Sequence, residues 1–246
     1  MVYLSPTLNI INKTIRNVGK KLIRDFNEIE KIQSSINGTQ SFADNTFQKI
    51  KKNLKFLLNE IKPEYKIIFL NNTEDVNFDD ENAWIVNPID GFINFVHGIP
   101  HFSISIALKE NSEISSASIY DPIKDEIFFA FKGKGSYLND FRIRVSQRIE
   151  TNSILSFNGK NKEKIKNLFL EKFSIYRQSG CASLDICYLA AGRNEVFFDN
   201  LENKPNFLAS ILILKEAGGL ISDEKKIFIA SNIACKAIIK EIVNKI

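Results

Sequence analysis

The chain has 246 residues, of which 44% are hydrophobic and 25% are charged, and both fractions are typical of globular domains. Its 33 basic and 29 acidic residues are mixed along the sequence, and the net charge of +4 is too small to indicate nucleic-acid or membrane binding. The chain has three cysteines, too few for a disulfide framework. It has no apolar run of membrane-spanning length and no leader-like stretch after Met1, so we expect a cytoplasmic protein.

Hydrophobic periodicity predicts two long helices at the start of the chain. Apolar residues recur in steps of three and four from Asn9 to Ile32, which describes one face of an amphipathic helix. A polar stretch from Ser34 to Ser41 is expected to end this helix. A second helix is predicted to run from about Asp44 to Pro63.

The pattern then changes to short strands, followed by alternating strands and helices. Strands are predicted at 66–70, 83–86, 101–108, 114–120, 126–131, near Tyr137, and at 142–145, 153–157, 195–198 and 226–230. Helices are predicted at 161–168, 181–191 and 204–217, and from Ile233 onward. This mixture, without linker or repeat, predicts one mixed α/β domain over residues 1–246, with an α+β half (1–147) and an α/β half (148–246).

One segment carries the residues on which chemistry depends. Residues 84–101 read W-I-V-N-P-I-D-G-F-I-N-F-V-H-G-I-P-H. A strand that ends at Asn87-Pro88 and turns into a short helix would expose the carboxylate of Asp90 and direct the N–H groups of Gly91 and Phe92 outward. Backbone donors beside a carboxylate suit an anion and a hard cation, although the same pattern also occurs in ordinary turns.

This segment resembles the W-x-x-D-P-x-D-G-T-x-N-F signature of the inositol monophosphatase family. Three other stretches are similar to family motifs in the same order. Residues 41–44 resemble V-T-x-x-D, residues 177–184 resemble R-x-x-G-S-A-A-L, and residues 206–219 resemble W-D-x-A-A…E-A-G-G. The resemblance implies a five-layered α-β-α-β-α sandwich, usually dimeric. It also implies Mg²⁺-dependent, lithium-sensitive hydrolysis of an inositol phosphate or another small phosphate monoester.

The resemblance also implies roles for individual residues. Asp90 would be a metal ligand and catalytic residue, and Asp44 would help to orient the attacking water. The backbone at Gly91 and Phe92 would bind phosphate, and Asp199 would contact substrate hydroxyls. For Asp199, capping of a strand end is the alternative interpretation. His97 and His101 are expected to be structural.

The metal-binding pattern is incomplete. Asn72 stands where the family carries a bridging Glu, and Asn87 and Asn206 stand where it carries Asp. Phe92 replaces the Thr that works with Asp44. Two or three cations in one site need several carboxylates, so we expect Mg²⁺ binding to be weak or lost and catalysis to be impaired.

An acidic segment lies between the altered motifs and comprises Glu74, Asp75, Asp79, Asp80 and Glu81. It is interpreted either as a solvated loop or as the source of a replacement metal ligand. Two function classes therefore stay open. The first is a phosphatase that acts on a small phosphorylated polyol. The second is a non-catalytic protein that binds a phosphate-like anion or a protein partner, as some bacterial relatives do in transcription antitermination, with a homodimer compatible with either.

Overall fold

The computed structural model describes residues 5–32, 36–70, 80–149, 153–158, 163–224 and 226–245. The helices are α1 (Pro6–Lys31), α2 (Ile36–Ile61), α3 (Phe92–Val96), α4 (Glu163–Leu170), α5 (Ala182–Ala190), α6 (Leu208–Glu216) and α7 (Lys236–Lys245), and a 3₁₀ helix spans Leu201–Phe207. The strands of the first sheet are β1 (Lys66–Phe69), β2 (Ala83–Asp90), β3 (Ser103–Glu110), β4 (Glu113–Asp121), β5 (Glu126–Phe131), β6 (Gly135–Leu138) and β7 (Phe141–Ile143). Those of the second are β8 (Ile154–Phe157), β9 (Ile175–Arg177), β10 (Val196–Asn200), β11 (Leu220–Glu224) and β12 (Ile227–Ser231).

Helix α1 illustrates how local sequence defines an element. The hydroxyl of Ser5 accepts a hydrogen bond from the N–H of Leu8, and Pro6 occupies the first turn, where its missing N–H costs nothing. The apolar face at Ile11, Ile15 and further residues in the same steps is fully buried. Capping and burial therefore act together to fix this helix against the first sheet.

The two sheets differ in topology. The seven-stranded sheet follows chain order from β1 to β7, with β1 parallel to β2 and the other neighbours antiparallel. The five-stranded sheet has the order β11-β12-β10-β8-β9. In the first sheet, the register between β2 and β3 shifts between Asn87 and Asp90. This irregularity bends the strand at the segment that the sequence singled out.

Three hydrophobic clusters define the layers. Helices α1 and α2 pack on one face of the first sheet, α5 and α6 lie between the two sheets, and α4 and α7 cover the outer face of the second sheet. The arrangement confirms the five-layered α-β-α-β-α sandwich. No helix in the described ranges is long and apolar enough to cross a membrane.

Several predicted boundaries differ from the structure. Helix α2 begins at Ile36 rather than near Asp44, because the polar stretch includes Thr39, which is fully buried together with Ala43. The predicted helix at 204–217 divides into the 3₁₀ helix and α6, with Pro205 inside the 3₁₀ turn. Strands β9 and β11 were not predicted, because each is a short, half-exposed edge strand without a clear apolar alternation.

Candidate functional site

A cleft of roughly 790 Å³ opens where the β2–α3 turn meets the chain before α5. It collects five of the residues that the sequence singled out, namely Asn87, Asp90, Gly91, Phe92 and Asn206. These residues come from the first sheet and from the 3₁₀ helix of the second half. The cleft therefore brings together the motif segment and the altered closing motif, which are far apart in the sequence.

The turn at Gly91 has a conformation that requires glycine. Its φ is +78°, and a Cβ built there would lie 2.9 Å from the carbonyl oxygen of His101 and 3.2 Å from Cβ of Cys181. The carbonyl oxygen of Gly91 accepts a hydrogen bond from the N–H of Phe95, and this bond closes the first turn of the short helix α3. The turn thus holds the backbone of Gly91 and Phe92 at the wall of the cleft.

The carboxylate of Asp90 is bound by donors of the protein itself. Its Oδ2 accepts from the N–H of Ser183 at 2.8 Å and lies 3.3 Å from Sγ of Cys181. Its Oδ1 lies 3.5 Å from Nδ2 of Asn87. Ser183 is in the first turn of α5, where N–H groups have no acceptor within the helix. Asp90 therefore acts as a cap of α5 from the neighbouring sheet.

Asn87 presents an amide, not a carboxylate, to the cleft. The side chain is buried, and its Oδ1 has no hydrogen-bond partner within the described part of the chain. Around this oxygen the cleft offers one carboxylate and several neutral amides. In the described ranges, no group of three or more His, Cys, Asp or Glu residues is arranged to hold a metal ion. The described donors do not fit a site for two or three Mg²⁺ ions.

Phe92 fills space next to the turn with an apolar ring. The ring meets that of Phe47 on α2 edge to face, with 5.9 Å between the centroids. It packs against the first hydrophobic cluster, under α1 and α2. A hydroxyl that could orient water is absent at this position. The contribution of Phe92 to an anion site would therefore come from its N–H.

Asp44 and Asp199 do not line the cleft. Asp44 is exposed on α2, where its carboxylate accepts from Nε2 of Gln40 at 3.1 Å. Asp199 is buried in β10, and its Oδ1 accepts from the N–H of Asn200 at 2.6 Å. The next residue, Asn200, lines the cleft in its place.

The acidic segment is described only at its end. Asp80 pairs with the ammonium group of Lys66 at 2.8 Å, and Glu81 is exposed. Both residues lie outside the lining of the cleft. Asn72, Glu74, Asp75 and Asp79 lie outside the described residues.

Carboxamides dominate the polar lining of the cleft, a feature that the sequence motifs did not indicate. Among the described residues that line the cleft, one carboxylate, that of Asp90, is accompanied by six carboxamides: Asn87, Asn94, Asn158, Gln178, Asn200 and Asn206. Asn94 has a structural role, since its Nδ2 donates to the carbonyls of His101 and Ser179, each at 2.8 Å. Its place in the motif segment was a signal that could have identified it.

A second set of ionisable groups lies close to the segment that precedes α5 and comprises Asp185, His101, Cys181 and Cys187. Burial raises the pKa of Asp185 to about 7, although a hydrogen bond from Oγ of Ser179 at 2.8 Å favours the ionised form. Burial lowers the pKa of His101. Burial also raises the pKa of Cys181 and Cys187 well above the usual thiol value. Both cysteines pack in the hydrophobic cluster between the two sheets.

The comparisons with known proteins are consistent with this geometry. The inositol monophosphatase family matches residues 3–244. An inositol-1-monophosphatase from Rhizobium meliloti is 33% identical, with 89% of this chain and 86% of that protein covered. A protein named Nus factor SuhB from Pasteurella multocida is 29% identical, with 99% and 96% covered. The crystal structure of the extragenic suppressor protein suhB from Bartonella henselae is similar with a TM-score of 0.84 at 30% identity, covering 98% of this chain and all of that one.

Proposed function

The chain belongs to the inositol monophosphatase family, and from this premise we propose that it binds a phosphate-like anion or a small phosphorylated polyol but hydrolyses it poorly. The contacts that the Asp90 carboxylate makes with the protein itself carry the proposal. Its carboxylate already accepts from Ser183 and faces the amide of Asn87. A second carboxylate for a metal pair is missing from the described lining of the cleft.

Negative charge in the cleft governs how well it would hold Mg²⁺. In metal-assisted phosphoryl transfer, one cation prepares the attacking water and another stabilises the leaving oxygen. Carboxylates compensate for the charge of such cations, whereas amides offer an oxygen but no charge. Because Asn87 and Asn206 bring no negative charge to the cleft, we expect Mg²⁺ binding to be weak and catalysis to be impaired.

Anion binding depends on different groups. Backbone N–H groups at the start of a helix attract anions whatever their side chains are. Gly91 and Phe92 line the cleft at the start of α3, and the glycine conformation holds this turn in place. Calorimetric titration with inorganic phosphate, with and without Mg²⁺, tests this part. We expect weak binding that Mg²⁺ changes little, and strong Mg²⁺-dependent binding would contradict it.

The catalytic part is tested by hydrolysis of inositol 1-phosphate in the presence of Mg²⁺. We expect the natural chain and an Asp90→Asn variant to have equally low rates. A chain with Asn72→Glu, Asn87→Asp, Phe92→Thr and Asn206→Asp should gain Mg²⁺ binding, measured by calorimetry. Turnover by the natural chain that Asp90→Asn abolishes would show that the site is an active phosphatase.

A regulatory role is the second candidate, and it is favoured by the relatives named Nus factor SuhB. In this role the fold would serve as a surface for a protein of the transcription machinery, and a homodimer would present that surface twice. Size-exclusion chromatography with purified antitermination factors tests the partner. Sedimentation of the chain alone tests the dimer. Absence of a complex at micromolar concentrations would count against this role.

A further inference from the structure

The positive charge of the chain is concentrated in its first two helices. Helices α1 and α2 carry ten basic and five acidic residues, whereas the rest of the sequence has 23 basic and 24 acidic residues. The net charge of +4 therefore conceals an excess of five positive charges in one layer of the fold. Such a local excess produces a surface potential that the total charge does not reveal.

Six exposed lysines of this layer, which we call the basic face, have no ion pair within the described part of the chain: Lys13, Lys20, Lys21, Lys49, Lys52 and Lys55. The acidic side chains that are described on the two helices do not neutralise them. Asp25 is buried, and Glu28 pairs with Lys31. Asp44 and Glu60 lie toward the two ends of α2.

The basic face lies on the side of each helix that points away from the core. Lys13 and Lys20 of α1 are seven residues apart, which is two helical turns, so they share one side of the helix. On α2, three lysines follow one another in steps of three from Lys49 to Lys55. The apolar residues between them belong to the cluster that packs against the first sheet.

The packing of the two helices brings these lysines onto one surface. Oγ1 of Thr46 donates to Oδ2 of Asp25 at 3.1 Å, and this bond fixes the register of α2 against α1. The chain reverses direction between the helices, because α2 begins five residues after α1 ends and packs beside it. Residues before Asp25 therefore lie beside residues after Thr46, and Lys20 is level with Lys51 and Lys52. At a rise of about 1.5 Å per residue, the basic face is roughly 15 Å long.

An aromatic ring lies within the basic face. Phe56 of α2 is 63% exposed, directly follows Lys55, and is one helical turn from Lys52. Surfaces that bind single-stranded nucleic acids combine positive charge along the path of the backbone with aromatic rings on which bases stack. The basic face and Phe56 provide both features.

The same surface is a poor match for a lipid bilayer or for another protein. A helix that lies in a membrane surface inserts a broad apolar face, but the apolar faces of α1 and α2 are buried against the sheet. Among the described side chains of these helices, Ile10 and Phe56 are the large hydrophobic ones that are exposed. Protein–protein interfaces are depleted of lysine, whereas protein–nucleic-acid interfaces are polar and strongly positive. The charge of this surface thus favours a nucleic acid.

We propose that the outer surface of α1 and α2 binds single-stranded nucleic acid. The lysines of the basic face would contact backbone phosphates, and one base would stack on the ring of Phe56. None of the six lysines belongs to the described lining of the cleft. The proposal is therefore independent of whether the chain binds or hydrolyses a phosphate ester.

Anisotropy of a fluorescently labelled ten-nucleotide oligouridylate tests the role of charge. We expect saturable binding that weakens roughly 50-fold between about 50 and 200 mM salt, as contact with about four phosphates requires. Lys20→Glu/Lys52→Glu should weaken binding about tenfold at the lower salt concentration and reduce the salt dependence. The matched control is Lys236→Glu/Lys240→Glu, which makes the same charge change at exposed residues of α7 and should bind as the natural chain does. Equal weakening by the two variants would overturn the proposal.

An abasic strand of the same length separates base stacking from attraction to phosphate. Phe56→Ala should weaken binding of the oligouridylate about tenfold and leave binding of the abasic strand unchanged. Phe141→Ala removes an exposed ring on β7 and should change neither. An equal effect of Phe56→Ala on both strands, or no effect on either, would contradict stacking and overturn the proposal.

Vesicles that contain phosphatidylserine test the alternative occupant of this surface. We expect the natural chain to stay in the supernatant when such vesicles are sedimented at about 150 mM salt. Sedimentation with the vesicles that Lys20→Glu/Lys52→Glu abolishes, without saturable binding of the oligouridylate, would assign the surface to a membrane and overturn the proposal.

Discussion

The N–H of Ser183 donates to Oδ2 of Asp90 over 2.8 Å, although 93 positions separate the two residues in the sequence. The bond joins the end of strand β2 in the first sheet to the first turn of α5, which packs between the sheets. A carboxylate that could serve as a metal ligand is therefore also the cap of a buried helix. This dual position makes Asp90 important for stability, whatever binds in the cleft.

Replacement of Asp90 should therefore destabilise the protein. Asp90→Asn keeps an oxygen but removes the charge that favours a helix N-terminus, and we expect a loss of about 1–2 kcal/mol in the free energy of unfolding. Urea denaturation measures it. The control is Asp44→Asn, which alters an exposed carboxylate on α2 and should cost less than about 0.5 kcal/mol. Equal stability of the two variants would show that the cap contributes nothing.

The turn at Gly91 should tolerate no side chain. Gly91→Ala meets both a positive φ and a carbonyl oxygen at 2.9 Å, so we expect a loss of about 3 kcal/mol and weaker phosphate binding. Gly133→Ala is a matched control, because its φ is +75° but nothing lies within 4 Å of the added Cβ. That variant should lose only about 1 kcal/mol. Thermal or urea unfolding compares the stability of the two variants. A loss of stability in Gly91→Ala no larger than that in Gly133→Ala would show that the close contact with the His101 carbonyl has no effect.

The buried carboxyl of Asp185 should make stability depend on pH. Because burial raises its pKa to about 7, the native state holds this proton more tightly than the unfolded chain does. The resulting stabilisation is complete below the ordinary pKa of 3.8 and is lost as the pH rises through about 7. Between pH 5 and 7.5 the natural chain should thus lose about 2 kcal/mol relative to Asp185→Asn.

The comparison with Asp185→Asn removes other titrations from the result. His101 has a lowered pKa, so its contribution is lost as the pH falls and acts in the opposite direction. It is present in both proteins and largely cancels in their difference. A difference that stays constant from pH 5 to 7.5 would mean that Asp185 is ionised throughout.

The three thiols should be protected in the native protein. Cys181, Cys187 and Cys235 are all buried, and burial raises the pKa of Cys235 to about 11 and those of the other two well above the usual value. Because the thiolate is the reactive form, we expect slow reaction with a disulfide reagent at pH 8, measured by absorbance, and complete reaction in denaturant. A thiol that reacts natively as fast as free glutathione would show that its surroundings open readily.

Local patterns were sufficient for much of the fold. The repeat of apolar residues predicted α1, and the alternation of apolar residues predicted β3. Helix α1 buries the face that the repeat describes, and β3 is buried over most of its length, so the pattern and the packing agree. Local patterns did not predict β9, β11 or the first turns of α2. The residues there are polar or half-exposed, and the surrounding structure decides their conformation.

The residue identities alone establish the family-like motifs and the Asn residues at positions 87 and 206, where the family pattern has Asp, because reading them requires no coordinates. The contacts of these residues follow from the tertiary structure. It placed Asn87, Asp90 and Asn206 in one cleft, left Asp44 on an exposed face of α2, and joined Asp90 to Ser183. Such contacts depend on how two sheets and the helices between them pack, and a hydrogen bond across 93 residues leaves no periodic signal in the chain.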